Sequence, residues 1–118
     1  MRHLHLLLFI VLSHLVQAQE VTLDNIATFE GKIVTLCSTI TGTYQTKGEK
    51  KVTYLNFGKP YPNSSFTIVI FEKELTHFSY VPAAFLKNKK VCVTGKVVLY
   101  KGKPQFIISK EAEIVVVK

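Results

Sequence analysis

The order of the β-rich runs constrains this chain most. Lys32–Ile40 (KIVTLCSTI), Val52–Phe57 (VTYLNF) and Phe66–Phe71 (FTIVIF) are short stretches of β-branched and aromatic residues, which suit a pleated, half-buried surface. Glu72–Asn88 (EKELTHFSYVPAAFLKN) breaks that pattern. Pro82 fits the first position of a short helix over Ala83–Leu86, where its missing N–H costs nothing. Ahead of it, Lys73–Tyr80 reads as a helical turn or loop. Two more β-rich runs follow, Val91–Tyr100 (VCVTGKVVLY) and Gln105–Lys110 (QFIISK).

The linkers supply the punctuation. Thr41–Lys51 (TGTYQTKGEKK) is polar, Lys-rich and carries two Gly, so a long hairpin loop is expected. Gly58–Ser65 (GKPYPNSS) and Lys101–Pro104 (KGKP) have the residues of tight turns. Gly95 marks a bulge or bend within the fourth run. Thr22 is placed to cap a short helix over Leu23–Phe29, with Asp24 in its first turn and Gly31 ending it. Glu111–Glu113 precede a last apolar run, Ile114–Val117.

Residues 1–18 (MRHLHLLLFIVLSHLVQA) have a different character. One Arg and two His precede an apolar run, and small residues at Val16 and Ala18 follow it, the layout of a secretory signal peptide cleaved after Ala18. Ser13, His14 and Gln17 interrupt the run well short of the roughly 20 apolar residues a membrane span needs. The expected product is a secreted or periplasmic chain with no membrane span, a single domain over residues 19–118. Of the 15 basic residues in the sequence, only Arg2 lies in the leader. The remainder therefore holds 14 Lys, no Arg and 8 acids, a net charge of 14 − 8 = +6.

That inventory excludes several kinds of chemistry. One Asp (Asp24) and one His (His77) remain after the leader, too few for a converging metal-ligand set. No Gly-rich phosphate loop, nucleophile elbow or Ser/His/Asp set is present. His77 lies among Phe78 and Tyr80 without the partners that acid–base chemistry requires. Neither catalysis nor a cofactor is expected.

Three strands, a connector with some helix, then two strands suit a small closed barrel better than a sandwich. The expected fold is all-β: a five-stranded OB-fold Greek-key barrel, with a short N-terminal helix and a second helix between strands three and four. The runs YLNFGKPYPNSSFTIVIF (54–71) and KKVCVTGKVVLYKGKPQFIIS (89–109) resemble a group of small secreted or periplasmic bacterial OB-fold proteins. DNIATFEGKIVTLCSTI (24–40) is similar to that group's N-terminal helix, Gly-Lys turn and Cys-bearing first strand. The resemblance covers nearly all of the chain after the leader and implies a nucleic-acid-binding domain. Staphylococcal-type thermonucleases share the barrel, but their Asp and Glu around calcium and their phosphate-clamping Arg have no counterparts here.

Cys37 and Cys92 fall in the first and fourth strands, which neighbour each other in an OB barrel. By side-chain alternation Cys37 shares a face with Thr35 and Thr39, and Cys92 shares one with Thr94 and Lys96. Both faces are the more polar, outward ones, so a cross-strand disulfide is expected in an oxidising compartment. The alternative is two separate small hydrophobes.

OB barrels bind ligands on the face of strands two and three, framed by the loops joining strands 1–2 and 4–5. Those loops supply Tyr44, Lys47, Lys50 and Lys51, then Tyr100, Lys101 and Lys103. The turn between strands two and three adds Lys59, Tyr61 and Asn63, and Tyr54 lies on strand two. Lys offers point charges to phosphates and Tyr offers flat faces to bases. Single-stranded nucleic acid, DNA or RNA, is the expected partner of a monomeric protein, with a protein or an oligosaccharide as the rival. Exposed Tyr44, Tyr54 and Tyr61 around one basic groove favour stacking, whereas buried tyrosines favour the rivals.

Overall fold

The computed structural model describes residues 20–59 and 61–118; the leader expected over residues 1–18 lies outside them. The fold is mostly β, with strands β1 (Ile33–Gln45), β2 (Val52–Gly58), β3 (Ser64–Phe71), β4 (Lys90–Lys96), β5 (Val98–Tyr100), β6 (Lys103–Ile107) and β7 (Ile114–Val116). Helix α1 (Pro82–Phe85) and a 3₁₀ segment (Glu72–His77) separate β3 from β4, as the Pro82 signal predicts. Two shorter 3₁₀ turns cover Ile26–Phe29 and Glu111–Glu113. No helix among the described residues is long and apolar enough to cross a membrane.

The expected five-stranded closed barrel is not what forms. Seven strands make one sheet in the order β5-β6-β3-β2-β1-β4-β7, with β5 and β7 at its ends. Two local events account for the difference. The fourth run splits at Val97 into β4, which pairs antiparallel with β1, and β5, which pairs with β6. The final apolar run then adds β7 outside β4, Val115 opposite Cys92.

The split falls at Val97 rather than at Gly95. The Val97 side chain is buried, its N–H donates to the Lys32 carbonyl at 3.0 Å, and its own carbonyl accepts from Gly31 N–H at 2.8 Å. Gly95 stays in register opposite Val34. A Cβ there would meet the Phe106 ring at 3.0 Å and Ile108 Cδ1 at 3.2 Å, so the glycine serves close packing of β4 on β6. Gly95→Val is therefore expected to destabilise the fold by about 1–3 kcal/mol through overpacking, measured as a fall in the urea midpoint.

β1 extends through Gln45, well into the segment expected to be loop. Its first half, Ile33–Thr39, pairs with β4; from Ile40 onward it pairs with β2, with a bulge between Ile40 and Gly42. One strand thus belongs to both parts of the sheet. Thr43 Oγ1 donates to the Ala83 carbonyl at 2.8 Å, tying that second half to α1.

The core lies on the inward face. Leu36, Ile40, Leu55, Phe57, Ile68, Ile70, Val91 and Val93 alternate inward from four strands, and Ile26 and Leu86 close it from the helical segments. Phe66 packs edge-on to Phe106 at 4.7 Å between centroids, a favoured aromatic geometry.

Cys37 and Cys92 are bonded to each other and sit directly opposite on β1 and β4. Ile40 N–H donates to the Lys89 carbonyl and Val97 N–H to that of Lys32; counting in twos between these bonds makes Cys37/Cys92 a non-hydrogen-bonded pair. Such pairs bring opposing residues closest, and the two Cα atoms are 4.0 Å apart. Thr35 and Thr94, the next pair on the same face, share a hydrogen bond of 2.7 Å.

Candidate functional site

The outer face of β2 and β3 carries the candidate site, and register places its side chains in cross-strand rows. Tyr44 on β1 is opposite Tyr54 on β2, Tyr54 is opposite Val69 on β3, and Val69 is opposite Ile107 on β6. Two residues along, Gly42, Asn56, Thr67, Gln105 and Val98 form a second row. Tyr100 and Lys103 pair beyond it, at the β5–β6 turn. Tyr54, Val69, Phe71, Val98, Tyr100, Gln105 and Ile107 line a groove of about 370 Å³.

The turn geometry explains how Tyr100 is presented. Lys101 and Gly102 both have positive φ, +50° and +79°, the two-residue turn that matches strand twist in a hairpin. Lys101 Nζ lies 5.4 Å from the Tyr100 ring centroid, within cation–π range. Lys103 Nζ donates to the Pro62 carbonyl at 2.7 Å, which joins the β5–β6 turn to the β2–β3 turn.

The eleven residues expected from the sequence divide into three groups. Tyr54 and Tyr100 line the groove, and Tyr44, 57% exposed, extends its first row. Lys59, Tyr61, Asn63 and Lys101 lie in the two turns that Lys103, the first residue of β6, joins through its bond to Pro62, with Tyr61 80% exposed. Lys47, Lys50 and Lys51 are exposed in the β1–β2 loop, next to the Phe71 end of the groove: Lys51 N–H reaches Glu72 Oε2 at 3.3 Å, and Val52 is opposite Phe71. Lysines thus stand at both ends of an aromatic and apolar floor, with Glu49 and Glu72 beside those at the Phe71 end.

Val69, Phe71, Val98, Gln105 and Ile107 were not among the expected site residues. The signal was available in part, because Thr67, Val69 and Phe71 alternate onto one face of FTIVIF. That run is apolar on both faces, which reads as full burial. Here one side packs in the core and the other floors a groove.

A second hollow of about 770 Å³ lies between Thr76–Tyr80 and Glu111–Val116. Glu111 Oε1 accepts from Ser79 N–H at 2.6 Å and from Ser79 Oγ at 2.7 Å. These bonds hold its carboxyl below the ordinary glutamate value. A depressed folded-state pKa stabilises above the unfolded value and is lost as pH falls through the folded one. The Ser79 amide resonance is therefore expected to titrate with a midpoint below that of a free glutamate, and Glu111→Gln removes the transition. Burial, then the Glu111 charge, push the Tyr80 phenol up; among the described residues its hydroxyl has no hydrogen-bond partner. His77 Nδ1 lies 2.9 Å from both Glu74 Oε2 and the Ser109 carbonyl. Both are acceptors, so that nitrogen carries the proton. Among the described residues, no three His, Cys, Asp or Glu side chains converge as a metal site.

Comparison with protein-family models, with curated proteins and with solved structures finds no match for this chain.

Proposed function

We propose that this protein is a non-catalytic, OB-like binding module that takes single-stranded nucleic acid along the β2–β3 face with little sequence preference. The observation that carries the reading is Tyr54 and Tyr100 lining one groove whose two ends bear lysines. Bases stack on aromatic faces whatever their identity, while a basic rim follows the backbone. OB domains bind on this face between these loops. The connectivity supports an OB-like origin: β1 pairs antiparallel with both β2 and β4, β3 runs parallel to β6, and the helical connector falls between β3 and β4. Relative to the five-stranded plan, the fourth strand is divided into β4 and β5. The Cys37–Cys92 bond supports an oxidising, extracytoplasmic site of action.

A second reading, a protein or oligosaccharide partner, is favoured by the apolar floor of Val69, Val98 and Ile107. Charge separates the two. In a titration of labelled single-stranded DNA or RNA, Lys50→Glu/Lys51→Glu is expected to weaken binding about tenfold at low salt with an unchanged melting curve. Equal binding by this variant and the parent protein would favour the rival.

A further inference from the structure

The groove lining includes one side-chain amide, that of Gln105. In the second row, Thr67 Oγ1 donates to the amide oxygen of Asn56 at 2.9 Å, so that acceptor is already engaged, and Asn56 is buried. Gln105, the next residue in that row, lines the groove and is half-buried. Among the described residues its amide makes no hydrogen bond, whereas the amide oxygen of Asn56 in the same row is engaged by Thr67. Its donors and acceptor therefore stand open to solvent at the groove wall, free for a ligand.

Its position relative to the tyrosines gives the amide a use. Gln105 is opposite Val98, and Tyr100 follows two residues later on the same face of β5. On the other side, Tyr54 precedes Asn56 by two residues on the same face of β2, and Asn56 shares Gln105's row. Rows two residues apart are separated by about 7 Å along a strand. Gln105 lies one strand across from Tyr100 and two across from Tyr54, so a base stacked on Tyr100 is the one that brings its edge toward the amide. On the far side of the row, the space beside Gly42 is open.

We propose that Gln105 is the base-reading residue of this groove, its amide pairing with the edge of a stacked adenine. A glutamine amide offers an acceptor and donors side by side, matching adenine N7 and the 6-amino group. The inference rests on the reading of the groove as a nucleic-acid site and deepens it. Stacking and lysines set the sequence-tolerant affinity, and Gln105 adds a modest preference at one nucleotide. Lys101 and Lys103 flank Tyr100 and, as point charges, do not discriminate between bases.

The test uses oligothymidine carrying one central adenine, or at the same place a purine lacking the 6-amino group, titrated into the protein and its Gln105→Leu variant. Both bases stack alike, so their ratio isolates the edge contact. The parent protein is expected to prefer the adenine oligonucleotide about tenfold, within the range of a good bidentate base contact. Gln105→Leu should abolish the preference while keeping the affinity for the purine analogue and the salt dependence. A preference that survives Gln105→Leu, or none in the parent protein, overturns the role of Gln105 and leaves the groove reading intact. Failure of every oligonucleotide to bind at low salt overturns the groove reading, and this inference with it.

Discussion

Reducing the Cys37–Cys92 bond is expected to lower unfolding stability by about 4 kcal/mol. The bond closes a loop of 55 residues, and the chain-entropy relation for a loop of that length gives that figure. The loop contains all of β2 and β3 and the helical connector, so the unfolded chain gains freedom over most of its core-forming sequence. In the folded protein the sulfurs link a pair that the β1–β4 ladder already holds at its narrow spacing. The folded arrangement therefore survives reduction, and the effect falls on the unfolded ensemble. For a domain of about 100 residues, the loss corresponds to roughly 15–30 °C in Tm. Melting curves with and without reductant, alongside Cys37→Ser/Cys92→Ser, measure it. Coincident curves for oxidised and reduced protein would contradict the assignment of stability to this bond.

The second large effect concerns the groove. Replacing Tyr54 and Tyr100 together with Ala is expected to cost about 2–6 kcal/mol of single-strand affinity, since each base–aromatic stack contributes about 1–3 kcal/mol. Tyr100 is 59% exposed at the tip of the β5–β6 hairpin, so its replacement leaves no cavity. Tyr54 is half-buried on the outer face of β2, away from the inward cluster of Leu55 and Phe57. The double variant should thus lose binding and keep its circular dichroism spectrum. Tyr44→Ala, at the edge of the first row, should show a smaller loss. Equal losses for Tyr44→Ala and for the groove pair would move the binding surface away from the groove.

The parts of the fold legible in the sequence were those governed by alternation and by turn residues. Cys37 with Thr35 and Thr39, and Cys92 with Thr94 and Lys96, announced a shared outward face, and the bond lies there. Pro82 and the Lys101-Gly102 pair marked a helix start and a hairpin turn because each fixes a backbone geometry locally. What failed depended on distant partners. The residues Thr41–Gln45 look like loop by polarity, yet their outward faces tolerate Thr and Tyr while the backbone pairs with β2. Gly95 looked like a bend, but the need it meets is space for Phe106, 11 positions away in sequence. The strand break falls at Val97, a residue with no turn character, because its backbone bonds go to Gly31 and Lys32. For the site, loop residues were found by composition. The floor at Val69, Ile107 and Gln105 was hidden because it is created by the parallel pairing of β3 with β6.

The groove reading is tested most directly by a salt series. Labelled single-stranded DNA and RNA are titrated into the protein at rising salt, and log Kobs is plotted against log salt concentration. Each phosphate contact on a single strand contributes a slope of about −0.7. Three to five of the lysines at the groove ends should then give about −2 to −3.5, with residual salt-insensitive affinity removed by Tyr54→Ala/Tyr100→Ala. Absence of binding at the lowest salt, or affinity indifferent to salt, would contradict a nucleic-acid function for this face.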